Sequence, residues 1–205
     1  MNLNPSRTQN HLIVVDDFYR DPKAVRDYAL SQDYKDGRPF YPGVRSGKAP
    51  HSAEIEGAIT DLLRCPLDWD HPYNGVFQIM CELDNSHSYV HHDSTDWAGV
   101  VYLSEREAPG TVFYRHKLSG FTSFPTTTEA FRRAVELKMS QVELQHRITE
   151  DGKDLSKWEP VFQTDFKFNR LVLYPARHFH KNASSWGYHK ETGRLSQVFF
   201  LRYAR

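Results

Sequence analysis

A histidine and an aspartate stand two positions apart in Tyr89-Val90-His91-His92-Asp93, and two further histidines end the run Tyr174-Pro175-Ala176-Arg177-His178-Phe179-His180. Side chains of an extended strand alternate between faces, so His91 and Asp93 would present an imidazole and a carboxylate to a common point. A second imidazole from about ninety residues on, His180 or His178, would complete the set. These two share a strand face, and spacing alone does not choose between them. Two histidines and one carboxylate form the facial triad of non-haem Fe(II) centres, which leaves half of an octahedron free for an oxidisable co-substrate and oxygen. The competing reading is structural. Eleven histidines make a chance His-x-Asp easy to find, and such a pair often only orients a buried imidazole.

The elements that must position these residues can be read from the period of the apolar side chains. His11 to Val15 reads as a strand after a loose, polar segment 1–10. Asp21 as N-cap and Pro22 at the first helical position predict a helix from Pro22 to about Gln32, with Val25, Tyr28 and Ala29 facing inward. Asp33 to Pro50, rich in glycine and proline, reads as a long loop whose part Phe40 to Arg45 is a candidate pocket wall. Ser52 caps a second helix to Arg64, with Ile55, Ile59, Leu62 and Leu63 on one stripe. Short strands follow at Gly75–Leu83, Tyr89–Asp93, Gly99–Leu103 and Thr111–His116. One helix is expected from about Thr126 to Gln145, with Phe131, Val135, Leu137 and Val142 as its apolar positions, before strands return at Pro160–Phe166, Leu171–Tyr174 and Leu195–Tyr203. Together these predict an α+β protein on a double-sheet, jelly-roll or cupin-like barrel, an architecture whose interior holds ligands.

Composition bounds the rest. A chain of 205 residues fits a single domain with a real core. Lys plus Arg and Asp plus Glu are equal at 26 each, which removes the basic footprint of a general nucleic-acid binder. Cys65 and Cys81, the two cysteines, are too few for a disulfide framework and spaced unlike a thiolate metal site. No apolar run approaches the roughly 18 residues of a membrane span and no leader segment is visible, so a cytoplasmic protein without a membrane partner is expected.

At this point the chain resembles the Fe(II)/2-oxoglutarate-dependent dioxygenases, in particular their prolyl-hydroxylase-like branch. The ordered signature of that family is matched by His91-His92-Asp93, Val101-Tyr102-Leu103-Ser104, Pro109-Gly110-Thr111, Asn169 to Pro175 leading to His180, and Arg194-Leu195-Ser196. Pro109 stands where a glycine is usual and Ser104 where asparagine is common, departures that touch turns and not the ligands. The resemblance covers about 76–203 of the single domain 1–205, outside the N-terminal part 11–70 and a helical insertion at about 118–160. It implies a double-stranded β-helix, Fe(II) held by His91, Asp93 and His180, which stands five residues after Pro175, and a reaction in which 2-oxoglutarate and O2 give succinate and CO2 as a substrate is oxidised. It further implies that Arg194, Ser196 and Tyr102 hold the 2-oxoglutarate. An aspartate at 93, where a halogenase needs room for halide, favours hydroxylation. The expected partner is a small molecule or peptide, with an amino acid or peptide side chain favoured by analogy.

The chemistry of Arg194 points the same way. A guanidinium on a strongly apolar strand is costly to bury unpaired, and its planar fork suits a carboxylate. Ser196, two residues on, shares its face and can donate a hydroxyl. The alternative for Arg194 is an internal ion pair with Glu82 or Asp84. Asn169, Trp186, His189, Trp97, Asp96, Arg115 and His116 are candidates for the substrate pocket, the tryptophans also for the barrel wall and His116 also for an exposed rim. Two other functions fit the triad: a cupin-like isomerase or 2-oxoglutarate-independent dioxygenase, which has no use for Arg194 with Ser196, and a non-catalytic metal or carboxylate binding module.

Overall fold

The computed structural model describes residues 6–7, 12–37, 41–50 and 52–204. His11 and Phe40, and most of the segment 1–10, lie outside the described residues. In chain order the elements are β1 (Ser6–Arg7), β2 (Ile13–Val15), α1 (Pro22–Ser31), β3 (Tyr34–Asp36), β4 (Val44–Ser46), α2 (Ala53–Leu63), β5 (Leu67–Asp68) and β6 (Phe77–Met80). The second half holds β7 (Trp97–Tyr102), β8 (Ala108–His116), α3 (Thr127–Glu136), α4 (Gln141–Asp151), β9 (Trp158–Phe166), β10 (Leu171–Pro175), β11 (His180–Asn182) and β12 (Arg194–Tyr203).

Two antiparallel sheets form the body. A nine-stranded sheet runs β1-β2-β10-β7-β12-β6-β4-β3, with β5 also on β12, and a three-stranded sheet runs β11-β8-β9. Strand alternation divides the large sheet into two faces. Leu195, Phe199 and Leu201 of β12, Val101 of β7, and Leu171 and Leu173 of β10 pack with Ala58, Ile59 and Leu62 of α2 and Ala29 of α1. The intervening Ala98, Val100, Tyr102, Val172 and Tyr174 turn the other way and meet Phe113 and Phe166 of the small sheet. Beyond the small sheet, α3 and α4 bury Ala134, Leu144 and Ile148 against Val112, Trp158 and Phe179. The order of layers is helices, large sheet, small sheet, helical hairpin.

The caps of the first two helices are where the sequence places them. The Asp21 carboxylate accepts from Ala24 N at 3.0 Å and the Ser52 hydroxyl from Ile55 N at 3.3 Å. Four expectations need correction. The stretch Asp33–Pro50 is not one loop, because β3 and β4 pair as a hairpin and β4 joins β6 at the edge of the large sheet. Arg7 and Ser6 pair with β2, so segment 1–10 is not loose throughout. Tyr28 lies on the open side of α1, 44% exposed, with its ring edge against Phe77.

The helix expected over 126–145 is two helices. Lys138 takes a left-handed conformation, φ 56°, and the Ser140 hydroxyl caps the second helix by accepting from Glu143 N. The hairpin packs through Ala130, Ala134, Leu144 and Ile148, while Phe131, Val135 and Val142 face outward. Small alanines let the helix approach the sheet, so the large residues take the other side. Among the described residues no helix is long and apolar enough to cross a membrane.

An ion pair ties the entry of α1 to the β9–β10 turn. Arg170 donates from Nε to Asp16 Oδ1 at 2.6 Å and from Nη2 to Oδ2 at 3.0 Å, and Lys167 Nζ adds a third contact at 3.0 Å. The Arg170 hydrogen bonds, opposed by partial burial and aided by Lys167, hold the Asp16 carboxyl down to about 2. A carboxyl depressed below its unfolded value of about 3.9 contributes stability that is complete above that pH and is lost as the pH falls towards the folded value. Asp16→Asn is therefore expected to lower the urea midpoint at pH 7, with the gap to wild type narrowing between about pH 4 and pH 2. A gap constant across that window would show that the pair contributes nothing to stability.

Candidate active site

The segment carrying the first two ligand candidates is not a strand. His91 forms a single isolated bridge with His180, so the regular alternation expected over Tyr89–Asp93 is absent. Backbone bonds place the segment instead. His91 N donates to His180 O at 3.0 Å, His180 N to His91 O at 2.8 Å, and Asp93 N to Ala176 O at 2.8 Å. Val90 N donates to Gly152 O at 3.0 Å, so the end of α4 also holds the segment.

One ligand atom each from His91, Asp93 and His180 lies within 4.8 Å of the others. The imidazoles of His91 and His180 are 4.4 Å apart between centroids, and His180 Nε2 is 3.5 Å from Asp93 Oδ2. Each histidine has its other nitrogen committed. His91 Nδ1 is 3.0 Å from Tyr89 O and His180 Nδ1 is 2.8 Å from His178 O, and a carbonyl only accepts, so Nδ1 carries the proton in both. Nε2 is thereby left unprotonated in each, and that of His180 faces the Asp93 carboxylate, the tautomer in which imidazole binds a metal. Burial, reinforced by neighbouring His91, holds His180 down to about 4, so it is neutral and able to ligate at neutral pH. These three fit a divalent metal in donor type and spacing.

His178 is not part of the cluster. His92 turns away and stacks on Phe124, centroids 4.1 Å apart.

The triad opens on a cavity of about 190 Å³ between the two sheets. Arg194, Ser196 and Val198 of β12 line it, with Gln78 and Met80 of β6, Thr111 of β8 and Asn182 of β11. Arg194 is 3% exposed. Its guanidinium donates to the backbone carbonyls of Ser184 at 3.1 Å, Gly110 at 3.2 Å and Pro109 at 3.4 Å, and its carbon stands 4.7 Å from the centre of the Phe166 ring. The ion pair with Glu82 or Asp84 does not form, and among the described residues no carboxylate lies within ion-pair distance of Arg194. Burial pulls its pKa down while the nearby Tyr102 and Tyr174 oxygens pull it up.

Tyr102 stands one hydrogen bond behind the cavity. Its hydroxyl is 2.9 Å from Thr111 Oγ1 and 3.1 Å from Thr164 Oγ1, and its ring stacks on Phe166. Gly110, whose carbonyl takes one Arg194 bond, is needed there: a β-carbon would stand 2.8 Å from Thr164 O and 2.9 Å from the Tyr102 hydroxyl.

Several pocket candidates belong elsewhere. Asn169 caps the N-terminal part, accepting from Tyr19 N and donating to Tyr19 O, both at 2.9 Å. His116 is fully buried, neither at a rim nor in the cavity, with Ser119 at 2.9 Å from Nδ1 and Asp151 at 3.0 Å from Nε2. Arg115 pairs on the surface with Glu159, and the exposed His189 pairs with Glu191. Trp97 donates to the Tyr203 hydroxyl and Trp186 packs edge-on against Phe166, so both build walls. Asp96 accepts from Tyr203 N.

Other residues in the cavity were not singled out from sequence. Tyr174 meets the His180 ring edge-on at 4.8 Å, and burial, then the charge of Asp93, holds its phenol protonated. Alternation along β10 would have found it, on the same face as Val172. Gln78 and Asn182 had no such signal.

Similar solved structures share this architecture. HygX from Streptomyces hygroscopicus, with nickel, 2-oxoglutarate and hygromycin B bound, superposes with a TM-score of 0.53 at 13% identity over 94% of this chain and 83% of its own. The non-haem alpha-ketoglutarate-dependent carbocyclase SnoK, from nogalamycin biosynthesis, gives 0.54 at 10% identity over 94% and 79%. The epimerase SnoN of the same biosynthesis gives 0.54 at 14% identity over 96% and 77%. The chain therefore has the fold of the non-haem 2-oxoglutarate-dependent enzymes. By sequence it belongs to a family of unknown function, DUF6445, whose profile it matches over residues 2–201. No curated protein matches it.

Gly152 gives a direct test of how the ligand segment is held. A β-carbon there would stand 2.4 Å from Val90 O, one residue before His91. Gly152→Ala is expected to displace Val90 and weaken Fe(II) binding by tenfold or more, read by equilibrium dialysis, while the circular dichroism spectrum is kept. Unchanged affinity would show that the insertion does not position His91.

Proposed function

We propose that this protein is an Fe(II)- and 2-oxoglutarate-dependent oxygenase that hydroxylates a C–H bond of an amino acid, peptide or other small molecule. The observation that carries the proposal is the pairing of two features in one cavity. A two-histidine, one-carboxylate cluster stands on one wall, and a buried guanidinium without a carboxylate partner stands on another. A metal binding module would need only the first. A cupin-like enzyme that does without 2-oxoglutarate would have no reason to bury the second, since a buried ion costs on the order of several kcal/mol.

In this reading the core, about 76–203, is a double-stranded β-helix, the chain acts as one cytoplasmic domain, and each site residue has a separate task. His91, Asp93 and His180 hold Fe(II), which supplies the redox chemistry of oxygen activation with 2-oxoglutarate as electron donor. Arg194 offers its fork to the distal carboxylate of 2-oxoglutarate, and Ser196 offers a hydroxyl. Tyr102, through Thr111, fixes the polar floor beside that carboxylate. Asp93 occupies the coordination position a halide would need, which favours hydroxylation. The apolar walls, Ala98, Val100 and Val198 among them, keep water from the reacting centre.

Anaerobic addition of Fe(II) and 2-oxoglutarate is expected to produce the visible metal-to-ligand charge-transfer band. Iron binding without the band would favour the 2-oxoglutarate-independent enzyme, and no iron binding would favour the non-catalytic module. Asp93→Ala and His180→Ala are expected to abolish the band and the slow, substrate-independent turnover of 2-oxoglutarate. Arg194→Ala should raise the 2-oxoglutarate concentration needed for the band by a hundredfold or more, and an unchanged requirement would reject its anchoring role.

A further inference from the structure

A second guanidinium, Arg45, stands beside the far end of the same cavity, against Tyr41, Gln78 and Phe200 of its lining. On β4 it stands opposite Gln78, which stands opposite Ser196, which stands opposite Tyr102. Directly opposed residues of an antiparallel sheet share a face, so Arg45 belongs to the inward-facing row of Gln78 and Ser196. Its side chain nevertheless leans away from Arg194. The guanidinium carbon is 3.9 Å from the Tyr41 ring centre, 5.1 Å from that of Tyr73 and 5.5 Å from that of Phe200. Phe200 lies six residues beyond Arg194 on β12, roughly 20 Å along an extended strand. Tyr41 and Phe200 both line the cavity.

The hydrogen bonding of Arg45 is incomplete. Nη2 donates to Gln78 Oε1 at 3.2 Å, and Nε is buried with no partner. Among the described residues no carboxylate lies within ion-pair distance. The acid whose charge acts on Arg45 is Asp93, and that carboxylate belongs to the metal cluster. Gln78 is itself fixed, since its Nε2 donates to Pro42 O at 2.8 Å, so it holds the guanidinium in place. Aromatic rings surround the cation and accept no N–H bond from it, so its unpartnered Nε–H is left for an acceptor, which suits a planar anion.

We infer that Arg45 binds a carboxylate of the molecule to be oxidised, so that the substrate is a carboxylic acid whose apolar part lies against Tyr41, Tyr73 and Phe200. Arg194 then takes the carboxylate of the co-substrate and Arg45 that of the substrate, at opposite ends of one cavity and with the metal cluster facing both. The inference rests on the oxygenase reading only in calling the occupant a substrate. The anion site itself is a property of Arg45, Tyr41 and Gln78.

Benzoate and benzamide, equal in shape and different in charge, are the probes, titrated calorimetrically without oxygen into protein saturated with Fe(II) and 2-oxoglutarate. Wild type is expected to bind benzoate at least tenfold more tightly than benzamide. Arg45→Gln should lose that preference and Arg45→Lys should recover part of it. The comparison within wild type stands even where Arg45→Gln fails to fold. Equal binding of the two probes, a preference that survives in Arg45→Gln, or benzoate displaced by 2-oxoglutarate in simple competition would each overturn the inference. The same titration on protein free of metal and 2-oxoglutarate keeps the two readings apart. An Arg45-dependent preference there, with no charge-transfer band in the holoprotein, would uphold the anion site while the oxygenase reading failed.

Discussion

Arg194 is a permanent cation held between two β-sheets, and much of the site follows from answering its charge. The apolar strand β12 puts it there: alternate residues Leu195, Phe199 and Leu201 feed the core beneath α2, and this forces Arg194, Ser196 and Val198 onto the opposite face. Three backbone carbonyls from Ser184, Gly110 and Pro109 take its hydrogen bonds without neutralising it. Carbonyl dipoles orient a guanidinium well and compensate its desolvation poorly, which leaves the cavity electropositive at that end. Gly110 lacks a side chain where a β-carbon would strike Thr164 and Tyr102. The irregular start of β8 that solvates the arginine thus also closes the floor of the cavity.

The opposite wall is built by different means. Two stretches distant in sequence meet through reciprocal backbone bonds between His91 and His180, and the same carbonyl geometry that fixes the chain also fixes each imidazole tautomer. The helical hairpin of the insertion contributes through Gly152, which touches Val90. Its outer face, with Phe131, Val135 and Val142, takes no part in that support. An insertion that looks peripheral in the chain therefore bears on the ligand segment from behind.

Much of this was legible in the sequence because the signals were local. Caps at Asp21 and Ser52 and the alternation of Leu195–Tyr203 are decided by neighbours a few residues away. The pairing of His91 with Asp93 rested on a strand argument that the fold does not obey, and the choice of His180 over His178 on the family resemblance: the segment is irregular, and long-range backbone bonds bring the side chains together. What stayed hidden depends on contacts across the fold. Glycines and prolines in Asp33–Pro50 suggested a loop, whereas the pairing of β4 with β6 was set by a strand over thirty residues away. The apolar stripe of the insertion misled because Ala130 and Ala134 pack closely where Phe131 and Val135 do not. His116 and Asn169 were read near the pocket from their places in the chain, and each is consumed by structural hydrogen bonds. Arg45 lies in the stretch Phe40 to Arg45 that reads as a candidate pocket wall, and its register opposite Gln78 is what puts it beside the cavity.

The central claim is that one cavity binds a metal at His91, Asp93 and His180 and an anionic co-substrate at Arg194. An anaerobic crystal structure with Fe(II) and 2-oxoglutarate tests it most directly. The account predicts the metal on those three side chains, with the distal carboxylate of 2-oxoglutarate in the fork of Arg194 and the Ser196 hydroxyl beside it. A structure in which Arg194 turns to a carboxylate of the protein, or in which 2-oxoglutarate binds away from both, would contradict it.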